Sequence, residues 1–387
     1  MENFNFFTPT NILFGRGQLA QLPEQIRKHG SRVLLAYGGG SVKRTGLYDA
    51  VTSLFKENNI EYYELSGIEP NPKITSVREG VKICREHSIQ AIVPVGGGST
   101  IDCCKAVSAS VHYDGDPWEL VLDWSKVDKV LPIFTVLTMA ATGTEMNGNA
   151  VISNMDENEK SALIHPSLKP VCSILDPTYT FTVSKYQTAS GVADIMSHIF
   201  ETYFSRTKGA AVQDYMAEAL LKTCIQYGKQ AVDTPDDYEA RANLMWASSL
   251  AINGLISCGK NSQWSCHPME HQLSAYYDIT HGAGLAVLTP AWFEYVLNEE
   301  TVDKFATYGI NVWDIDAGED KLQIARKAIQ KTREYFNGLG LPKTLSDFDI
   351  DEEHFDVMAE KAVANGLENA YVPLDKEAVI HIYKACL

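Results

Sequence analysis

Short apolar runs alternate with helix-period segments through the first half of the chain, and helix-period segments alone fill the second half. Arg32-Val33-Leu34-Leu35-Ala36-Tyr37, Ala91-Ile92-Val93-Pro94-Val95, Pro132-Ile133-Phe134-Thr135-Val136 and Cys172-Ser173-Ile174-Leu175 are near-continuous apolar stretches of strand length. Stretches of this kind predict strands buried on both faces. Tyr62-Tyr63-Glu64-Leu65 and Val151-Ile152-Ser153 predict two more. Between them, 18–28, 47–58 and 74–87 carry apolar residues at helical spacing, and another helix opens at Thr100. Strands alternating with helices imply a parallel sheet covered by helices on both faces. The aromatic and β-branched segment 4–14, interrupted by Thr8-Pro9-Thr10, predicts two short extended pieces joined by a turn, an edge hairpin or a subunit contact. From about Ser184 the character changes. Helices are predicted over 187–205, 209–229, 237–256, 264–276, 283–297, 319–338, 352–364 and 375–386. The expected organisation is an α/β domain over 1–183 and an all-helical domain over 184–387.

Two of the predicted strands run directly into glycine turns, Gly38-Gly39-Gly40-Ser41 and Gly96-Gly97-Gly98-Ser99. In parallel sheets ligands sit beyond the carboxyl ends of the strands, where both turns fall. Glycines there let backbone N–H groups approach a pyrophosphate, and the helix that follows favours negative charge. Two such turns at equivalent strand ends point to a dinucleotide, although neither is a G-x-G-x-x-G. The segment Leu137–Glu145 is small and hydroxylated, as a ligand-facing loop would be.

The helical half holds a second constellation. Asp194 and His198 stand at i and i+4, as do His267 and His271, and His281 follows just before Gly282-Ala283-Gly284. Side chains four apart emerge from one helix face a turn apart, which is chelate spacing. The glycines are expected to turn a loop that brings the His281 imidazole towards the helices. A carboxylate with several imidazoles suits Fe(II) or Zn(II) better than Mg(II) or Ca(II), and four of the five residues would bind. With the metal on the helical side and the dinucleotide turns on the sheet side, a cleft between the two would hold both.

Composition narrows the partners. The chain has 387 residues, a comfortable length for two domains, and its net charge of -16 argues against nucleic acid and anionic membrane surfaces. Its eight cysteines are scattered, with Cys103-Cys104 the only close pair and no CxxC, which fits a reduced compartment. The N-terminus MENFNFFTPT lacks a basic region followed by an apolar core, and no run approaches a membrane span. A cytoplasmic protein is expected.

Taken together, these residues resemble a known family. The motifs FxxPTxIxFG near the start, PNP at 70–72, GGGSxID at 96–102, TxxATGTEMNGNAVI at 138–152, LDP at 175–177 and the D-x3-H and H-x3-H pairs with the later His run essentially end to end. They are similar to those of the iron-dependent, group III alcohol dehydrogenases, in particular the butanol-dehydrogenase-like branch of broad-range aldehyde reductases. The resemblance implies that Asp194, His198, His267 and His281 hold the metal, while His271 lies near the nicotinamide. It also implies that Gly39, Ser41, Asn71, Gly97, Gly98, Ser99, Asp102, Thr138, Thr142, Asn147, Lys160 and Thr182 line the cofactor groove, to which Gly38 belongs as the opening of the first glycine turn. A departure is Val183-Ser184 at the domain junction, where relatives often have Leu-Pro.

Members preferring NAD tend to carry an acidic residue at the position of Gly39. Here glycine stands there, with Ser41 as a donor and Lys43 and Arg44 just beyond, so NADP(H) is the expected cofactor. The implied reaction is reversible hydride transfer between NADPH and a small neutral aldehyde such as butanal, giving a primary alcohol, with the metal polarising the substrate oxygen and His271 or a water delivering the proton. A homodimer is implied as well. A polyol dehydrogenase of the same fold is the nearest rival. A dehydroquinate-synthase-like lyase would need cations for its phosphorylated acid, and no Lys or Arg lies between Lys260 and Lys304. Trp264, within that interval, is a candidate pocket wall. A non-enzymatic binding protein on this scaffold would have lost a ligand or filled a glycine turn, and neither has happened.

Overall fold

A computed structural model describes residues 1–387. Six strands form one wholly parallel sheet in the order β1-β8-β5-β4-β2-β3: β1 Asn11–Phe14, β2 Arg32–Tyr37, β3 Glu61–Leu65, β4 Ala91–Gly96, β5 Phe134–Leu137 and β8 Cys172–Leu175. Successive side chains on a strand face opposite ways, and β2 shows the result. Val33, Leu35 and Tyr37 join one buried cluster, which also contains Val51, Phe55, Val93 and Val136. Leu34 and Ala36 join the other, with Val77, Val81, Ile92 and Val107. Both faces are therefore cores, which is why these strands read as unbroken apolar runs rather than alternating ones. The covering helices are α1 Leu22–Arg27, α2 Ser41–Arg44, α3 Leu47–Glu57, α4 Ile74–Glu86, α5 Gly98–Ser110 and α6 Pro117–Leu122.

Two expectations for this half are corrected. Segment 4–14 forms no hairpin. Only β1 is a strand, and it pairs in parallel with β8 through Asn11 opposite Cys172 and Phe14 opposite Leu175. Pro9 has no amide hydrogen to give a ladder, and the Phe7 carbonyl accepts a hydrogen bond from Lys169 Nζ instead. Residues 151–153 belong to a separate antiparallel hairpin, β6 Asn149–Asn154 with β7 Glu159–Ile164, in which Ser153 is opposite Lys160. Asn158 closes it in the left-handed region at φ 47°, a conformation Asn tolerates better than most residues.

The remaining helices are α7 Lys185–Tyr203, α8 Ala211–Asp233, α9 Tyr238–Ile252, α10 Cys266–Tyr277, α11 His281–Val296, α12 Val302–Trp313, α13 Lys321–Gly338, α14 Phe355–Ala364 and α15 Lys376–Lys384. Ser184 starts α7 as its N-cap, its hydroxyl accepting from the Gln187 N–H at 3.2 Å. Serine is among the preferred residues at that position, so the missing proline leaves the helix start intact. An aromatic group fills the helical core: the Phe204 ring lies 4.5 Å from Phe305 and 4.8 Å from Phe293, centroid to centroid.

The chain divides into two compact units, and not by a single cut. One comprises Phe7–Val183 with Pro235–Ser249, the other Met1–Phe6, Ser184–Thr234 and Leu250–Leu387. Most of α9 therefore belongs with the sheet. Ser248 Oγ donates to the Ala141 carbonyl at 3.0 Å and accepts from the Gly143 N–H at 3.1 Å, Ser249 donates to the Glu145 carboxylate, and Met245 is buried with Ile101, Leu137 and Leu175. Periodicity marks α9 as a helix but cannot say which core its apolar face enters.

Candidate functional site

Within the helical unit, α7 presents Asp194, His198 and Glu201 at spacings of four and three residues, along one face. α10 presents His267 with Glu270 three residues on and His271 four residues on. His281 is the first residue of α11 rather than part of a glycine loop. The two glycines act as clearance between helices: a Cβ on Gly282 would lie 2.0 Å from the Ser190 carbonyl oxygen of α7, and one on Gly284 would lie 3.0 Å from Glu270 Cγ of α10. The first turn of α11 is thus pressed against both helices, and this carries His281 to Asp194.

Three imidazoles converge on a single carboxylate oxygen. From Asp194 Oδ1, His198 Nε2 is 3.7 Å away, His281 Nε2 3.8 Å and His267 Nε2 3.9 Å. These separations are too long for hydrogen bonds. Donors that share one first-row divalent ion at roughly 2.0–2.2 Å stand about 3–4 Å apart, so the spacing fits such an ion. Ligand atoms of Asp194, His267 and His281 all lie within 4.8 Å of one another. His198 stacks on His267 with ring centroids 4.6 Å apart.

Two buried carboxylates that the sequence reading missed fix the imidazoles. His267 Nδ1 is 3.0 Å from Glu201 Oε1, which also accepts the His267 backbone N–H at 2.9 Å, while Glu201 Oε2 accepts the Ser265 N–H at 2.7 Å. His281 Nδ1 contacts Glu270 Oε2, and Ser274 Oγ donates to Glu270 Oε1 at 2.5 Å. When Nδ1–H is given to a carboxylate, the Nε2 lone pair is left facing Asp194. Lone pairs aimed at a carboxylate oxygen repel it unless a cation lies among them, so the donor set fits a metal. Burial, reinforced by His267, holds His198 well below its ordinary pKa and therefore neutral, as a ligand must be. Burial likewise pushes Glu201 up to about 7 against the pull of the Ser265 and His267 N–H groups. Glu201 was legible in principle, since it stands at i+7 from Asp194 on the same helix face.

His271 flanks this group, its ring 5.5 Å from His281 and 6.3 Å from His267 between centroids. Trp264 covers another side, 4.6 Å from the His267 ring and 5.5 Å from His198.

In the sheet unit, Gly38–Ser41 follows β2 and Gly97–Ser99 leads from β4 into α5. The loop after β5 lies against the second turn: a Cβ on Gly98 would sit 2.6 Å from Thr142 Oγ1, one on Gly97 3.2 Å from Met139 Cβ, and the Thr138 N–H donates to the Gly96 carbonyl at 3.0 Å. In the first turn a Cβ on Gly38 would reach the Ile68 carbonyl oxygen at 3.0 Å, whereas Gly39 faces open space. Ser41 is exposed beside it, and Thr182 is exposed just ahead of α7. Lys160 Nζ donates to Asn71 Oδ1 at 3.1 Å, bringing those two together. Asp102 and Asn147 also hydrogen-bond within the protein. The Asp102 carboxylate accepts from Thr144 Oγ1 at 2.5 Å and the Val151 N–H at 3.0 Å, and the Asn147 amide bridges the Gly143 carbonyl, the Asn149 N–H and Lys105. Lys105, which makes that last contact, was also overlooked in the sequence.

Comparison with known proteins decides the family. Residues 9–177 match the description iron-containing alcohol dehydrogenase, and residues 188–387 match the C-terminal part of the Fe-containing alcohol dehydrogenase family. The chain belongs to the iron-containing alcohol dehydrogenases. It is 58% identical over 386 residues to the NADH-dependent butanol dehydrogenase A of Clostridium acetobutylicum, covering 99% of each chain. It is 39% identical to the NADPH-dependent aldehyde reductase YqhD of Escherichia coli, covering 97% of each. Among solved structures, the NADH-dependent butanol dehydrogenase A of Thermotoga maritima superposes with a TM-score of 0.94 at 38% identity, covering 100% of this chain and 99% of that one. As an iron-containing alcohol dehydrogenase the protein interconverts alcohols and aldehydes, which sets the lyase and the non-enzymatic readings aside. No helix is long and apolar enough to cross a membrane.

Proposed function

We propose that the protein transfers hydride reversibly between NADP(H) and a small neutral aldehyde, butanal or a near homologue, giving the primary alcohol. The observation that carries the catalytic part is the convergence of His198, His267 and His281 on Asp194 Oδ1 at 3.7–3.9 Å. In this reading those four residues hold one divalent ion, Fe(II) or Zn(II). Bound there, the ion supplies Lewis-acid polarisation of the substrate oxygen.

The chain's own residues do the rest. Glu201 and Glu270 hold two imidazoles in the tautomer that presents Nε2. The Trp264 ring provides an apolar wall beside His198 and His267 and excludes water from that side. No Lys or Arg lies between Lys260 and Lys304, the interval that carries His267, His271 and His281, which favours a neutral substrate over an anionic one. A His271 ring nitrogen holds the proton that the alkoxide takes up. The turns at Gly38–Ser41 and Gly97–Ser99, with Thr138 and Thr142, receive the dinucleotide. The protein acts in the cytoplasm as a homodimer.

NADP(H) rests on Gly39, which has neither side chain nor charge to oppose a 2′-phosphate. NADH is the second reading, favoured by the coenzyme in the names of relatives 58% and 57% identical. Oxidation of NADPH and of NADH is followed with butanal, 1,3-propanediol being tried in the reverse direction, on chelator-stripped protein before and after anaerobic addition of Fe(II) or Zn(II), with His267→Ala alongside. Turnover that needs metal, is faster with NADPH and vanishes in the variant supports the proposal. Faster turnover with NADH rejects the coenzyme assignment alone, and turnover without metal rejects the metal site.

A further inference from the structure

Lys105 lies in the middle of α5 with no exposed surface, an uncommon place for an ammonium group. All its partners lie in the segment that follows β5. Nζ donates to Thr144 Oγ1 at 2.7 Å, to the Asn147 and Asn149 carbonyl oxygens at 2.8 Å each, and to Asn147 Oδ1 at 3.0 Å. Asp102, one turn earlier on α5, accepts from the same Thr144 hydroxyl and from the Val151 N–H. Glu145, also buried, is held by Ser249. The helix that begins at the Gly97–Ser99 turn is thereby fastened, through the buried Lys105 cation and the buried Asp102 carboxylate, to the loop that carries Thr138 and Thr142, while Glu145 ties that loop to α9. A charged donor with all its acceptors on one segment fixes that segment more firmly than neutral contacts would. A loop ordered before the ligand arrives loses little entropy on binding.

We propose that Lys105 is a positioning residue for dinucleotide binding: it clamps the Thr138–Asn149 loop against α5 so that both halves of the nucleotide site are set in advance, without touching the nucleotide itself. The inference rests on the dinucleotide reading above. Two variants test it. Lys105→Met removes the clamp but leaves the buried carboxylates without their cation, whereas Asp102→Asn/Lys105→Met leaves the net charge of the buried group unchanged. Dissociation constants for NADPH and NADH, read by nucleotide fluorescence on metal-free protein, are expected to rise about tenfold or more, equivalent to one charge-assisted hydrogen bond. In metal-loaded protein KM for the dinucleotide rises with them while KM for butanal stays put. A folded variant that binds dinucleotide within twofold of the parent overturns the proposal, and so does a parallel rise of both KM values, which marks general damage. Hydrogen exchange on the unsubstituted, nucleotide-free protein gives a reading independent of folding defects: amides of 143–149 are expected to exchange as slowly as those of mid-α5, and fast exchange overturns the clamp. If the parent protein binds neither dinucleotide, the proposed function fails instead.

Discussion

Replacing Glu201 by Gln tests the metal site through a residue that would not itself touch the metal. The two side chains have the same shape, but the carboxylate accepts three N–H groups, two on Oε1 from His267 and one on Oε2 from Ser265. The amide has a single acceptor oxygen. If that oxygen stays on the His267 side, the amide NH2 opposes the Ser265 N–H, and a buried unsatisfied donor costs about 1–3 kcal/mol. If the amide flips, it donates to Nδ1, and the imidazole proton moves to Nε2, the atom needed for the metal. In both cases the imidazole loses the anion that raises its basicity. The expected result is a metal affinity about 10–100-fold weaker, about 1.4–2.7 kcal/mol. Competition with a chromophoric chelator, backed by elemental analysis after dialysis, measures it. Glu218→Gln is the control: this carboxylate is also buried in the helical unit and accepts from Tyr203 Oη at 2.8 Å and Asn311 Nδ2 at 3.0 Å, away from the imidazoles. That variant is expected to lose stability and keep its metal. A folded Glu201→Gln protein that binds metal within about twofold of the parent refutes the argument.

Gly282→Ala forces α11 off the Ser190 carbonyl oxygen, so it should lower stability by about 1–3 kcal/mol in denaturant unfolding and shed metal as His281 withdraws; an unchanged midpoint with full metal content contradicts the packing argument. Gly39→Asp places a carboxylate in open space at the first glycine turn, and a like-charge contact near 4 Å in water is worth about 1 kcal/mol per charge pair, so the NADPH/NADH ratio of kcat/KM should fall about tenfold. An unmoved ratio means that Gly39 does not set coenzyme choice. All eight cysteines are buried and free, and burial pushes Cys103 and Cys224 up to about 12 and Cys172 up to about 11. A thiol reagent such as DTNB should therefore label none of them in the native protein at pH 8 and all eight after denaturation, and rapid native labelling would show that the cores open.

Much of this protein was decided by pattern alone. The parallel sheet was legible because β2, β4, β5 and β8 are buried on both faces and so are apolar at nearly every position, and the glycine turns because a Cβ at Gly38 or Gly98 has no room. The i, i+4 pairs Asp194/His198 and His267/His271 were legible because a helix converts sequence spacing into a shared face. What the sequence left undetermined depended on distance across the fold. Short elements such as α6 are below the length at which periodicity speaks, while α12 carried a readable spacing in Phe305, Tyr308, Gly309 and Val312 that went unread. The assignment of α9 to the sheet unit turned on partners more than a hundred residues away, Ala141 and Gly143 for Ser248. Glu201, Glu270 and Lys105 acquired roles only through neighbours brought by other helices or by the loop after β5. Asp102 and Asn147 had motif positions that suggested contact with a ligand, and the folded chain adds internal hydrogen bonds that the motif does not record. A single sequence records which side chains share one element's face; only the packed elements determine which polar atoms meet, because that depends on how closely helices such as α7, α10 and α11 can approach.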